Sequence, residues 1–398
     1  MSFTNIKGYK IFTALFVFCF LNTSFAESKL PSTNQQLLDS TIQHIQSDGL
    51  KGVSQFSQRN WLASTPHLSL MRWQTSDEVI GSDETELLLQ LDLLSPSYQN
   101  LIRESDALNQ KFSELQRQQL ELTASSLLRN LFWQSKRVNA GLAYDEKSVS
   151  QLSHLLAATQ KQVKASEIPA YDAIIVEQRL NTYRATLAEK QIQLQQLTRL
   201  WQQYTGQRAF PEQLSEPQTH ETLPLRHPSL RTLTMQWRLL LLQTKKSSAE
   251  QKQWTATAGY KHINAMSGSE NQVGFGLSLP LGFSDSLSAL ELNSLKQQQN
   301  ALMNETRQTK VTIELRIAEA VSQVEQFKQK LKQSQQNAEL SKTAIDQLNQ
   351  LYQQRQLDTR MFVDRLLEQL NYQREKELTQ IQLQYAFAEL NQAKGIPL

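Results

Sequence analysis

The sequence predicts a mainly α protein with a small β part, one structural unit written twice along the chain. Three observations predict it. Two stretches of about 70 residues are almost free of Gly and Pro and carry apolar residues seven apart, the mark of long coiled-coil-like helices. Two other stretches alternate apolar and polar residues with period two, as half-buried strands do. The second set follows the first by about 188 residues, which makes an internal two-fold repeat.

Composition narrows the function. The chain has 398 residues, 41 Lys+Arg, 38 Asp+Glu, 12 Gly, 10 Pro and one Cys. No span after the N-terminus approaches the roughly 20 apolar residues of a bilayer helix, so a polytopic helical membrane protein is excluded. Few glycines, with no GxGxxG or GxxxxGK[ST], argue against phosphate-cradling α/β chemistry. A net charge of +3 is too small to point to nucleic acid.

Residues 1–26 read as a secretory signal peptide. Lys7 and Lys10 form the basic start, Ile11 to Leu21 the apolar run, and Ser24-Phe25-Ala26 the cleavage site. Cys19 lies in the apolar run behind Phe16-Val17-Phe18 rather than small residues, so it is discarded and not acylated. The exported chain then carries no disulfide and no thiolate. A short polar helical segment follows, around Gln35 to Ser47 within residues 27–65.

The first hairpin, residues 66–94, opens with His67 to Trp73, passes a polar stretch from Gln74 to Asp83, and returns from Glu84. There Leu87, Leu89, Leu91 and Leu93 alternate with Leu88, Gln90 and Asp92. The second hairpin, residues 253–282, runs from Trp254 to Ile263, turns over Asn264 to Asn271, and returns with Val273, Phe275, Leu277, Leu279 and Leu281 between Gly274, Gly276, Ser278 and Pro280. Each returning strand is about ten residues long, the length of a tilted bilayer-spanning strand. Two hairpins buried in a soluble core are the other reading, but the neighbouring helices are Gln-rich and offer nothing apolar to cover these faces. Trp61, Trp73, Trp254, Tyr260 and Phe283 near strand ends suit a membrane–water boundary.

The rest is helix. Tyr98 to Ala165 contains only Gly141, with Leu101, Leu108, Leu115 and Leu122 seven apart; Ser284 to Gln354 contains neither Gly nor Pro, with Ile317, Val324, Leu331, Ala338, Ile345 and Tyr352 in the same spacing. At 1.5 Å per residue each reaches on the order of 100 Å. Short interruptions at Ser166–Pro169 and Arg355–Thr359 lead into returning helices that Gly206 and Gly395 close. These are two helical hairpins, residues 95–206 and 283–395, separated by a Pro-containing linker and a further helix in residues 207–252. Four strands cannot close a barrel, and open strand edges are not tolerated in hydrocarbon, so the chain must associate with copies of itself.

This arrangement resembles the TolC-like outer membrane efflux family (outer membrane factors) of Gram-negative bacteria. The resemblance rests on the repeated architecture and on Leu277-Ser278-Leu279-Pro280-Leu281, His227-Pro228-Ser229-Leu230 and Ala386-Phe387-Ala388-Glu389-Leu390 in that order ahead of Gly395. It implies a homotrimer: helical hairpins forming an α-barrel in the periplasm, and the two β-hairpins contributing to a trimeric transmembrane β-barrel. It implies an exit duct working with a periplasmic adaptor protein and an inner-membrane pump, in contact with outer membrane lipid. Leu87, Leu89, Leu91, Leu93, Val273, Phe275, Leu277, Leu279 and Leu281 would then face lipid. Asp172 and Tyr352 take the places of the family's tip latch, and Asp364 that of a tunnel constriction, with Met361 where a companion acid falls. Ser166, Ile168, Arg355 and Leu357 belong to the tip turns where an adaptor docks. Ser166 and Arg355 replace the family's usual glycines, a change expected to reshape those turns. Ordinary solvated helix surface is the alternative reading of Asp172, Asp364 and Tyr352.

Other functions fit less well. Six scattered histidines, with no HExxH or G-x-S-x-G, argue against an enzyme, and no cofactor or metal is expected. A periplasmic adaptor, or a structural coiled-coil protein of an export complex, shares the signal and the helices. An adaptor, however, carries one helical hairpin with compact Gly-rich β domains.

Overall fold

The structure, a computed structural model, describes residues 32–47, 61–76, 81–216, 226–250, 254–265, 267–279 and 289–398. The signal peptide, Leu281, Phe283 and the linker residues 217–225 lie outside them. The elements are α1 (Ser32–Ser47), β1 (His67–Trp73), β2 (Ser82–Leu93), α2 (Pro96–Lys164), α3 (Ala170–Thr205), α4 (Pro228–Glu250), β3 (Trp254–Ala265), β4 (Gly268–Ser278), α5 (Ala289–Gln353) and α6 (Thr359–Ala393).

Local sequence explains the helix limits. Ser95 caps α2 by accepting the Tyr98 N–H at 3.3 Å, and Pro96 opens the first turn, where no N–H is needed. The helix then runs 69 residues without a break, through Gly141. Asp358 caps α6 by accepting the Met361 N–H at 2.7 Å. On α5 the predicted seam is the packed face. Ile313, Ala320, Val324 and Ala338 are buried, Ile317, Leu331, Ile345 and Tyr352 are half-buried, and most other positions meet solvent.

The four strands form one antiparallel sheet in the order β1-β2-β3-β4. The two predicted hairpins are therefore joined through β2 and β3, which pair over their full lengths from Ser82 opposite Ala265 to Leu93 opposite Trp254. The second turn is much tighter than the predicted Asn264–Asn271, because pairing persists to Ala265 opposite Gly268. Gly268, at φ 131°, supplies backbone freedom that the flanking residues lack. The first turn is likewise shorter, with β2 starting at Ser82.

Helix packing forms a wall in the order α3, α2, α6, α5, with α4 bridging α2 and α5 and α1 resting on α2 and α3. One core gathers Leu128, Phe132, Leu197, Trp201, Ala388 and Leu398 around Leu37 and Leu38. A second, nearer the tips, joins Leu152, Val176, Leu180, Phe362, Val363 and Leu366 from the two hairpins. The outermost helices keep apolar side chains in solvent: Ile174, Ile192 and Leu200 on α3, Val311, Leu315 and Leu340 on α5. Among the described residues no helix is long and apolar enough to cross a membrane, which leaves the strands unjudged.

Candidate functional site

At the tips, both long helices end in the same Schellman turn. Glu167 N–H donates to the Gln162 carbonyl at 2.9 Å and Ser166 N–H to that of Val163 at 3.0 Å. In the second repeat, Gln356 N–H donates to Leu351 at 2.9 Å and Arg355 N–H to Tyr352 at 3.0 Å. The motif requires a left-handed residue, usually glycine. Here Ser166 adopts φ 56° and Arg355 φ 59°. The two hydrogen bonds hold each turn in the glycine-like conformation despite the side chain, at a cost of about 1 kcal/mol per residue. Ile168 and Leu357, at matching places in the two loops, are half-buried.

Asp172 and Tyr352 are brought together by a residue that sequence reasoning missed, Thr359. Its Oγ1 donates to Asp172 Oδ2 at 3.1 Å and lies 3.4 Å from the Tyr352 hydroxyl. Since the threonine has one proton and gives it to the carboxylate, Tyr352 donates to Thr359. Thr359 is only 4% exposed, and the Tyr352 ring stacks on Phe362 with centroids 4.2 Å apart. The Asp358-Thr359 pair at a helix start was a visible capping signal, but its partner Asp172 lies 187 residues away; only the fold reveals the contact.

Two ion pairs flank this relay. Arg355 meets Glu167 at 2.8 Å, and Arg179 meets Asp364 at 2.8 Å. Neither Glu167 nor Arg179 stood out in the sequence. Both pairs are well exposed, so each contributes no more than about 1 kcal/mol. Asp364 thus has a cation of its own chain beside it, while Met361 is exposed. All these contacts tie the first helical hairpin to the second at one end of the molecule.

Further along the wall, Asp145 is 1% exposed and holds Lys190 of α3 at 2.5 Å, with Arg374 of α6 at 4.0 Å. Gly141 makes room for this arrangement: a Cβ there would stand 3.0 Å from Lys190 Nζ. Burial pushes the Tyr183 phenol above its ordinary value, so Tyr183 stays neutral beside this cluster. Where the linker meets the wall, fully buried Arg129 makes a bidentate pair with Glu216 at 2.9 and 2.8 Å and donates to Gln392 at 2.7 Å and the Ile396 carbonyl at 3.1 Å. His227 stands immediately before α4, its Nδ1 accepting the Ser229 N–H at 3.2 Å. Burial, with Arg316 adding to it, pushes the His227 imidazole below its ordinary value.

At the opposite end, the sheet sorts its side chains by face. Directly opposed residues share a face, so the register aligns Leu70, Leu87, Tyr260 and Val273 in one row and Leu68, Leu89, Ala258 and Phe275 in the next. Leu91, Ala256 and Leu277 follow, then Leu93 with Trp254. This face is apolar across all four strands and open to solvent, Phe275 by 84% and Leu70 by 71%. Leu279 continues the alternation just past β4 and is exposed. The other face is polar: Lys261 pairs with Glu84 at 2.6 Å, and Asp92 accepts from Ser64 at 2.7 Å and Thr255 at 3.0 Å. Trp73 lies opposite Glu84 on that polar face, not among the boundary aromatics, whereas Trp254 and Tyr260 border the apolar band. Among the described residues no group of three His, Cys, Asp or Glu side chains gathers as a metal site.

A four-stranded sheet with one largely apolar face, joined to two helical hairpins that meet at their tips, is a fold that solved outer membrane channels share. No family model and no curated protein matches the sequence; the likeness lies in the architecture. The chain is similar to the outer membrane protein VceC of Vibrio cholerae, with TM-score 0.65 and 15% identity over 92% of this chain and 96% of that one. It is also similar to the CmeC outer membrane channel of Campylobacter jejuni, with TM-score 0.65 and 12% identity over 91% and 83% of the two chains. The open state of the MtrE outer membrane channel of Neisseria gonorrhoeae aligns with TM-score 0.58 and 14% identity over 91% and 88%.

Proposed function

We propose that this chain is one protomer of a trimeric outer membrane duct, an exit channel of an efflux or type I secretion-like system that continues from an adaptor and an inner-membrane pump. One observation carries this reading: a solvent-exposed apolar face runs across a sheet whose two outer strands, β1 and β4, have no partner on one side among the described residues. Hydrocarbon tolerates such a face only when the edges are closed, and four strands are half of what the smallest barrels need. Further copies complete the ring, and three give twelve strands. The polar sheet face then lines water, and the apolar residues exposed on α3 and α5 become seams between protomers. The tip relay through Thr359 holds the two helical hairpins of each protomer together at the periplasmic end. The paired Asp364 makes a weaker cation trap than a free carboxylate ring.

The test is extraction and sizing. Expressed in a Gram-negative host, the protein is expected in the outer membrane fraction, to run as a trimer in mild detergent, and to conduct ions in planar bilayers. Recovery as a water-soluble monomer without conductance refutes the duct.

A further inference from the structure

On the side of the strand turns, the apolar face of the sheet ends in a polar row. Arg72 stands opposite Thr85, Thr85 opposite His262, and His262 opposite Asn271. These four share the face of Leu70, Leu87, Tyr260 and Val273 and lie one row beyond it. Asn271 Oδ1 accepts from the Tyr260 hydroxyl at 2.9 Å and faces His262 Nδ1 at 2.7 Å. With the Tyr260 hydroxyl on that oxygen, the Asn271 amide N–H groups are the donors left to the row. Arg72 is exposed. The acid on the same face is Asp83, a row further on, whose Oδ1 accepts the Thr75 N–H at 3.2 Å.

We propose that this row binds the phosphate of lipid headgroups at the border of the apolar band. The inference rests on the membrane reading above and adds to it a lipid chemistry. A guanidinium fork matches phosphate oxygens in pairs, and amide N–H groups serve the same acceptor. Strands about 4.8 Å apart spread Arg72 and Asn271 over about 14 Å, so the row meets a headgroup layer and not a single small ion. The apolar rows immediately beside it hold the acyl chains of the same lipids, which a free phosphate lacks.

The experiment uses the full-length protein reconstituted in phosphatidylcholine with and without phosphatidic acid, then extracted gently and weighed by native mass spectrometry. Retention of phosphatidic acid over phosphatidylcholine is expected. Arg72→Gln should lower it about fivefold, the usual effect of one basic group at an anionic surface, and Asp83→Asn should raise it. Lys261→Gln, on the opposite face, should leave it unchanged. Equal retention of the two lipids, no effect of Arg72→Gln, or displacement of the lipid by inorganic phosphate alone each overturns the proposal. Insertion without lipid preference defeats this inference alone; failure to insert in either bilayer defeats the membrane reading with it.

Discussion

Single residues carry the charges that the wall hides. Asp145 is buried beneath Lys190, and the lysine passes close over position 141, where a Cβ would stand 3.0 Å from its Nζ. Without the lysine, buried Asp145 is left with Arg374 at 4.0 Å, a poorer partner. Lys190→Met should therefore destabilise the protein by about 3 kcal/mol, seen as a lowered Tm of the purified material. Gly141→Ala should fail to give the stabilisation of about 1 kcal/mol that a helical glycine normally offers, since the new methyl presses on Lys190. His227 gives a pH dependence. Its folded value lies below its unfolded one, so the unfolded chain takes up the proton first as pH falls. Stability is thus full above about pH 6.5 and declines as acid carries the protein down through the lowered folded value. His227→Asn keeps a side-chain acceptor for the Ser229 N–H but cannot titrate. The gap in Tm between neutral and mildly acidic buffer should shrink in that variant.

At the scale of elements, the tips separate backbone from side-chain effects. Ser166→Gly relieves a left-handed serine and should slow hydrogen exchange in its turn by about fivefold, the equivalent of roughly 1 kcal/mol. Arg355→Gly relieves the same strain but loses the pair with Glu167, so its gain should be smaller. Thr359→Val keeps the shape and removes the proton that Asp172 accepts. A loss of about 1–2 kcal/mol is expected, together with raised conductance in bilayers if the relay holds the hairpins closed; unchanged conductance removes the relay from the gate. Much of this level was legible in the sequence. The seven-residue spacing on α5 marks the face that packs, and Leu87 to Leu93 with Val273 to Leu277 mark one side of the sheet. Alternation could not say that the two hairpins join through β2 and β3, because pairing between distant strands leaves no trace in either one. The same limit hid Thr359, Glu167 and Arg179, whose partners lie more than 180 residues away.

For the whole molecule, the exposed apolar face decides between water and lipid. Phe275→Arg removes a side chain that touches almost nothing within the chain, so a soluble protein should tolerate or welcome it. Within a bilayer a charge at mid-depth costs about 2–4 kcal/mol, and the variant should be depleted from the outer membrane fraction while its helices remain folded by circular dichroism. Equal recovery of variant and wild type in that fraction counts against the lipid-facing assignment. An expectation of further copies could be argued from the strand count alone, since four strands are fewer than the smallest closed barrels use. Which helices leave apolar residues uncovered could not, because those on α3 and α5 look like core residues in the sequence and differ only in having nothing above them in the fold.

Arg129 reaches from the first repeat to Gln392 and Ile396, and Leu398 docks by its N–H on Ser125 at 2.9 Å. The first helical hairpin therefore draws part of its support from residues more than 260 positions away. A variant cut after residue 390 leaves Arg129 with Glu216 but without Gln392 and Ile396, and opens the core where Leu398 sits. Its Tm should fall although the sequence of that hairpin is untouched.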